Sequence, residues 1–130
     1  MSQKKSLPAG CRCLVLEDEF LIALDIQDAL EAAGAASVSC FSSAEKAIAA
    51  LNSGANFDVG ILDMNLSGDN RTGLSVAAEL SARGTPFIFL TGMPHDAARA
   101  NGYDAPFLEK PYQQATLLEA VHRVLALDYG

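Results

Sequence analysis

Five short apolar runs recur along this chain, separated by stretches that mostly carry their apolar residues at helical spacing. The runs are Cys13 to Leu16, Val38 to Phe41, Val59 to Leu62, Phe87 to Leu90 and Ala105 to Leu108. Each is too short for a helix and nearly free of polar positions, as a strand covered on both faces is. Between them the period changes. Ile22, Ile26, Ala29, Leu30 and Ala33 share a helical face, with Asp25, Asp28 and Glu31 mostly opposite, and Gly34 stops the pattern. Ser42-x-x-Glu45 has the form of a capping box ahead of Ala44, Ala47, Ile48 and Leu51, a segment that Asn52, Ser53 and Gly54 end. Leu74 to Arg83 reads as a third helix closed by Gly84. Pro111 precedes a last one, in which Leu117, Leu118, Val121, Val124 and Leu125 repeat. Strands alternating with helices predict α/β architecture: one parallel sheet with helices on both faces.

Size and charge narrow the function. A chain of 130 residues, half of them hydrophobic, is expected to make one domain with a proper core. The domain is expected over residues 11–130, with 1–10 as an unordered N-terminal segment. No apolar stretch is long enough for a membrane span or the core of a signal peptide, which predicts a cytoplasmic protein with no membrane partner. The net charge of −7, with nine unclustered basic residues, argues against nucleic acid and fits a basic partner or a bound cation. Three cysteines, Cys11, Cys13 and Cys40, do not suggest a disulfide framework. They read as partly buried free thiols, with Cys11 and Cys13 on one face of a strand.

In parallel sheets of this kind ligands bind beyond the carboxyl ends of the strands. The residues there are Glu17 and Asp18 after the first run, Asp63 after the third, Thr91 after the fourth, and Glu109, Lys110 and Pro111 after the fifth. Three carboxylates converging on one edge repel unless a cation sits among them. Oxygen ligands favour a hard divalent ion, and Mg²⁺ is the expected one. A lysine, a hydroxyl and a metal around one carboxylate are what phosphoryl transfer needs, with Asp63 as the attacking group.

The segments "LVLEDE", "VGILDMNL", "FIFLTG" and "FLEKPY", in this order and each at a strand end, resemble the receiver domain of two-component response regulators from about Cys13 to Leu127. The resemblance implies a doubly wound, flavodoxin-like receiver fold with five parallel strands in the order 2-1-3-4-5. It implies that Asp63 is the phosphoacceptor, that Asp18 binds the metal directly, and that Glu17 reaches it through water. The backbone carbonyl of Asn65 would be the third protein ligand. Thr91 matches the hydroxyl that follows the phosphoryl group, Lys110 the family lysine, and Pro111 the proline after a cis peptide. Phe107 matches the aromatic switch position; it is expected at the end of the fifth strand, beside Thr91. The wording "PFIFLTG", with Asn-Leu two residues past Asp63, is similar to stand-alone receivers of alphaproteobacteria that carry a Phe-Ala-Thr-Gly motif. Here Leu90 replaces the alanine, and Met93 stands where an aromatic is common.

The function so implied is a stand-alone response regulator rather than an enzyme acting on other molecules. A histidine kinase or histidine phosphotransfer protein would supply the phosphoryl group, and another protein would read the result. The segment between Thr91 and Lys110 is shorter than in many receivers and has little apolar periodicity, so a short or frayed helix is expected there. His95 and His122 read as a loop residue and a helix-flank residue, and Glu19 as a solvated opener of the first helix. Two alternatives differ in class. An aspartyl-phosphate phosphohydrolase would need a second acid where Asn65 stands. A small flavin-binding domain would need a hydroxyl- and glycine-rich loop where Glu17 and Asp18 stand.

Overall fold

The structure, a computed structural model, describes residues 6–64, 71–92 and 105–129. Its elements in chain order are β1 (Arg12–Leu16), α1 (Phe20–Ala32), β2 (Ser37–Phe41), α2 (Ala44–Asn52), β3 (Val59–Asp63), α3 (Arg71–Ala82), β4 (Phe87–Thr91), β5 (Phe107–Glu109) and α4 (Gln114–Tyr129). The five strands are parallel in the order β2-β1-β3-β4-β5, which is the α/β flavodoxin-like receiver arrangement.

Alternation along the central strands divides the interior into two layers. Cys13, Val15, Ile61, Ile88, Leu90 and Leu108 face α1 and α4, and pack with Ile26, Leu30, Leu117 and Val121. Leu14, Leu16, Leu62, Phe87 and Phe89 face α2 and α3, and pack with Ala47, Leu51, Val76 and Leu80. β3 and β4 are buried at every position, which is why their sequences show no polar alternation. β2 is an edge strand and keeps Ser37 and Cys40 exposed. Gly60 lies inside β3, where a Cβ would meet Leu80 Cδ1 at 2.6 Å, so the missing side chain lets α3 settle onto the sheet. Gly34 and Gly84 stop α1 and α3 with φ of 103° and 72°, values that favour glycine.

Three local expectations shift. The cap of α2 is Ser43, not Ser42: its hydroxyl accepts from the Lys46 N–H at 3.2 Å, and its backbone is extended. The residue three places on is then Lys46, so no capping box forms, and Glu45 serves the helix dipole from the first turn instead. β5 is Phe107–Glu109 rather than 105–108, because its register is set by pairing with Phe89, Leu90 and Thr91. Leu7, in the segment expected to be unordered, is buried in the α1/α4 layer, and its N–H donates to Ala33 O at 2.7 Å. Cys11 and Cys13 are buried and free, and burial raises both thiol pKa values. Among the described residues no helix is long and apolar enough to cross a membrane.

Central and edge positions differ in what they hold together. Ile88→Ala, in the middle of the sheet, should lower the unfolding free energy by about 2–5 kcal/mol in urea melts. Val38→Ala, half-buried on the edge, should cost less than half as much.

Candidate functional site

Because every strand is parallel, all five deliver their last residues to one edge. Asp63 closes β3 and Thr91 closes β4, each 2% exposed. Glu17 follows β1 and is equally buried, while Asp18 beside it is exposed. Lys110 follows β5 and is fixed at its backbone by donating N–H to Thr91 O at 2.7 Å. The peptide from Lys110 to Pro111 is cis. Phe41 O holds the start of the acidic turn by accepting from the Glu17 N–H at 3.0 Å.

The side chains converge. Lys110 Nζ lies 3.1 Å from Asp63 Oδ2 and 3.4 Å from Glu17 Oε1. Glu17, Asp18 and Asp63 each present one carboxylate oxygen within 4.8 Å of the other two. At that separation and an effective dielectric near 20, Glu17 and Asp63 repel by about 3 kcal/mol. Burial is the main reason the Glu17 pKa is pushed up to about 7. The Glu19 N–H and Lys110 oppose the rise, and Asp63 adds to it. For Lys110 burial works toward a lower pKa, but the Asp63 and Glu17 carboxylates outweigh it and the net direction is upward. Lys110 is therefore charged throughout the neutral range.

Three acids against one ammonium leave a formal charge of −2 when all are ionised. The donors are all hard oxygens, two are buried, and they surround one point. That set fits a hard divalent cation and poorly fits a soft or monovalent one. Glu17, Asp18 and Asp63, singled out from the sequence, are thus brought together with Lys110. Asn65, whose backbone carbonyl is the remaining expected ligand, lies outside the described residues, as do His95 and the expected helix after Thr91.

Thr91 and Phe107 sit otherwise than expected. Phe107 begins β5 instead of ending it and pairs with Phe89, while Thr91 pairs with Glu109. Thr91 and Phe107 are diagonal neighbours, and the Phe107 ring stacks on Phe89 at 5.3 Å with 25° between the planes. Two contributors were not legible beforehand. Glu19 N–H donates to Glu17 Oε2 at 3.1 Å, a backbone role that side-chain identity does not signal. Tyr112 lies close enough for burial, followed by the charges of Glu17, Asp25 and Asp63, to push its pKa up to about 12. Only its place two residues after Lys110 hints at this.

Known proteins share the pattern. The family model of the response regulator receiver domain matches residues 13–122. A response regulator receiver protein from Sinorhizobium medicae WSM419 is 32% identical, with a TM-score of 0.78 over 95% of this chain and 99% of that one. SdrG from Sphingomonas melonis Fr1 is 34% identical, with a TM-score of 0.75 over 92% of this chain and 99% of that one. A CheY-like receiver domain from Methylobacillus flagellatus has the same fold at 24% identity, with a TM-score of 0.74 over 88% and 98% of the two chains. Among curated proteins none matches.

The raised pKa of Glu17 fixes a pH signature. Folded Glu17 keeps its proton up to about pH 7, whereas the unfolded chain loses it near 4.5, so stability falls as pH rises between those values. Glu17→Gln removes the titration. Without divalent ions, its melting temperature should gain on the wild type as pH rises from 4.5 to 7 and then level off. Parallel melting curves over that range would rule out the assignment.

Proposed function

The chain belongs to the response regulator receiver domain family, and on that premise we propose that it is a phosphoacceptor switch in which Asp63 takes a phosphoryl group in a Mg²⁺-dependent reaction. The observation that supports this most is the meeting of Asp63, Glu17 and Asp18 with Lys110 at the carboxyl edge of the sheet. An oxygen of Asp63 forms the new P–O bond as the P–N bond of a donor phosphohistidine breaks, and the donor imidazole leaves with the electron pair. Bound by Asp18, Asp63, the Asn65 carbonyl and, through water, Glu17, Mg²⁺ would offset the charge on the transferring phosphoryl oxygens. Lys110 supplies a second positive charge already in contact with Asp63. Thr91, at the end of the neighbouring strand, follows the new phosphoryl oxygens with its hydroxyl. Phe107 then responds, and its ring already stacks on Phe89 below Thr91.

The donor is a histidine kinase or a histidine phosphotransfer protein. Phe20 and Leu21 open α1 directly beside the acids and are 75% and 76% exposed, and Leu24 continues the same face. Apolar groups so exposed next to the acceptor suit a docking protein. Downstream, a second protein reads the β5 and α4 side, where Leu108, Pro111, Tyr112 and Thr116 line an open groove. The site carries out its own phosphorylation and dephosphorylation; Asn65 stands where an aspartyl-phosphate hydrolase would need the second acid of its Asp-x-Asp pair. A cytoplasmic location agrees with such donors. Phe89, Thr91 and Gly92 support the narrower Phe-Ala-Thr-Gly grouping, with Leu90 filling the α1/α4 layer at the alanine position.

Two outcomes follow. Asp63→Asn should abolish the one-phosphoryl mass shift seen with acetyl phosphate and Mg²⁺ while leaving the protein folded; labelling that survives would remove Asp63 as the acceptor. Leu21→Glu should slow transfer from a phosphohistidine protein at least about tenfold, the loss of one buried interface anchor. Its labelling by acetyl phosphate should not change, since a small donor does not touch α1.

A further inference from the structure

The first turn of α3 lies directly against the backbone that carries Asp63. A Cβ on Gly73 would stand 2.8 Å from Asp63 O, 3.3 Å from Met64 Cα and 3.5 Å from Asp63 C. The nearest of these is closer than packed carbon and oxygen atoms come, and all three are backbone atoms, so no rotamer change relieves the clash. The peptide also cannot retreat freely. On its β4 side Met64 N–H donates to Leu90 O at 2.9 Å, and the Met64 side chain is fully buried. The Asp63–Met64 peptide is therefore clamped, with β4 on one side and the bare α-carbon of Gly73 on another.

The clamp acts on the site through geometry. Asp63 alternates with Ile61, so its carboxylate belongs to the α1/α4 face, while α3 packs on the other face. A push from α3 on the Asp63 carbonyl therefore moves the carboxylate relative to Lys110, Glu17 and Asp18, which are held by other elements. We infer that Gly73 is a positioning residue for the acidic site: by lacking a side chain it lets α3 close on the Asp63–Met64 peptide and holds the Asp63 carboxylate in register with Glu17 and Asp18. This rests on the reading that those acids bind Mg²⁺.

Gly60 provides a matched control. It lies three residues before Asp63 in β3, and a Cβ there would meet Leu80 Cδ1 at 2.6 Å and Phe87 Cβ at 3.4 Å, neither of them a backbone atom of the acidic turn, with the nearest a movable side-chain end. Both Gly73→Ala and Gly60→Ala should lower the melting temperature. Only Gly73→Ala should also weaken Mg²⁺ binding, measured by calorimetric titration of the metal alone, by about 10–100-fold, as loss of a group that orients a metal ligand does. Gly60→Ala should stay within about twofold of wild type. If Gly73→Ala is unfolded on its own, all three proteins are titrated in trimethylamine N-oxide, which favours the compact state. Wild-type affinity in Gly73→Ala, or equal weakening in Gly60→Ala, overturns the positioning role. No Mg²⁺ binding by the wild type would instead overturn the metal reading on which it rests.

Discussion

Two buried carboxylates meet one half-buried ammonium at the end of the sheet, and much of the surrounding architecture exists to make that contact possible. Glu17 and Asp63 are almost without solvent, so each needs a partner or must take a proton. Lys110 serves both, which is possible only because β1 and β3 are neighbours and β5 ends at the same edge. The Lys110 backbone is tied to Thr91, so β4 sets the height of the lysine as well as its own hydroxyl. Removing one member would leave a buried charge unanswered, which is why such clusters are costly to break although they add little to stability when intact.

The acids and the residues proposed to switch alternate onto opposite faces of the sheet. Asp63 shares its alternation with Ile61 on the α1/α4 side, whereas Thr91 shares its alternation with Phe87 and Phe89 on the α2/α3 side. Phe87, Phe89 and Phe107 form a continuous aromatic row: an edge contact at 5.3 Å and then a stack at 5.3 Å. A pull on Thr91 from the acidic face would thus be felt by a row of rings on the other, with β4 as the shared support. Aromatic contacts of this kind are worth about 0.5–1.5 kcal/mol each, small enough for a new charge nearby to shift their arrangement.

The fold was legible because the hydrophobic pattern and the turn chemistry agree. Fully apolar runs named the inner strands, and Gly34 and Gly84 marked helix ends by the one property that glycine alone offers there. The acids and the lysine were legible because charged residues at the ends of buried strands have no packing reason to be there. What escaped depends on backbone and register. Ser42 and Ser43 are equivalent caps in sequence, and only the extended backbone at Ser43 decides between them. Phe107 fell two places from its expected partner, on Phe89 rather than Thr91, because a three-residue strand carries too little pattern to fix its own register, which β4 supplies. The Glu19 N–H and the bare α-carbon of Gly73 act without a side chain, so residue identity announces neither.

The elevated pKa of Glu17 gives the cluster a further property. With Lys110 charged and burial pushing the Glu17 pKa up to about 7, the site without a cation takes up a proton as the pH falls toward the acid side of neutrality. A divalent cation entering among the three acids favours the ionised form and so expels that proton. Where Glu17 is protonated, binding would therefore exchange one positive charge for two, and the net gain at the site would be smaller than the ion's formal charge. Burial that raises the Glu17 pKa thus weakens cation binding at low pH, while the converging oxygens strengthen it above 7. A more exposed Glu17 would ease the first effect, but it would leave Lys110 with one partner where it now has two.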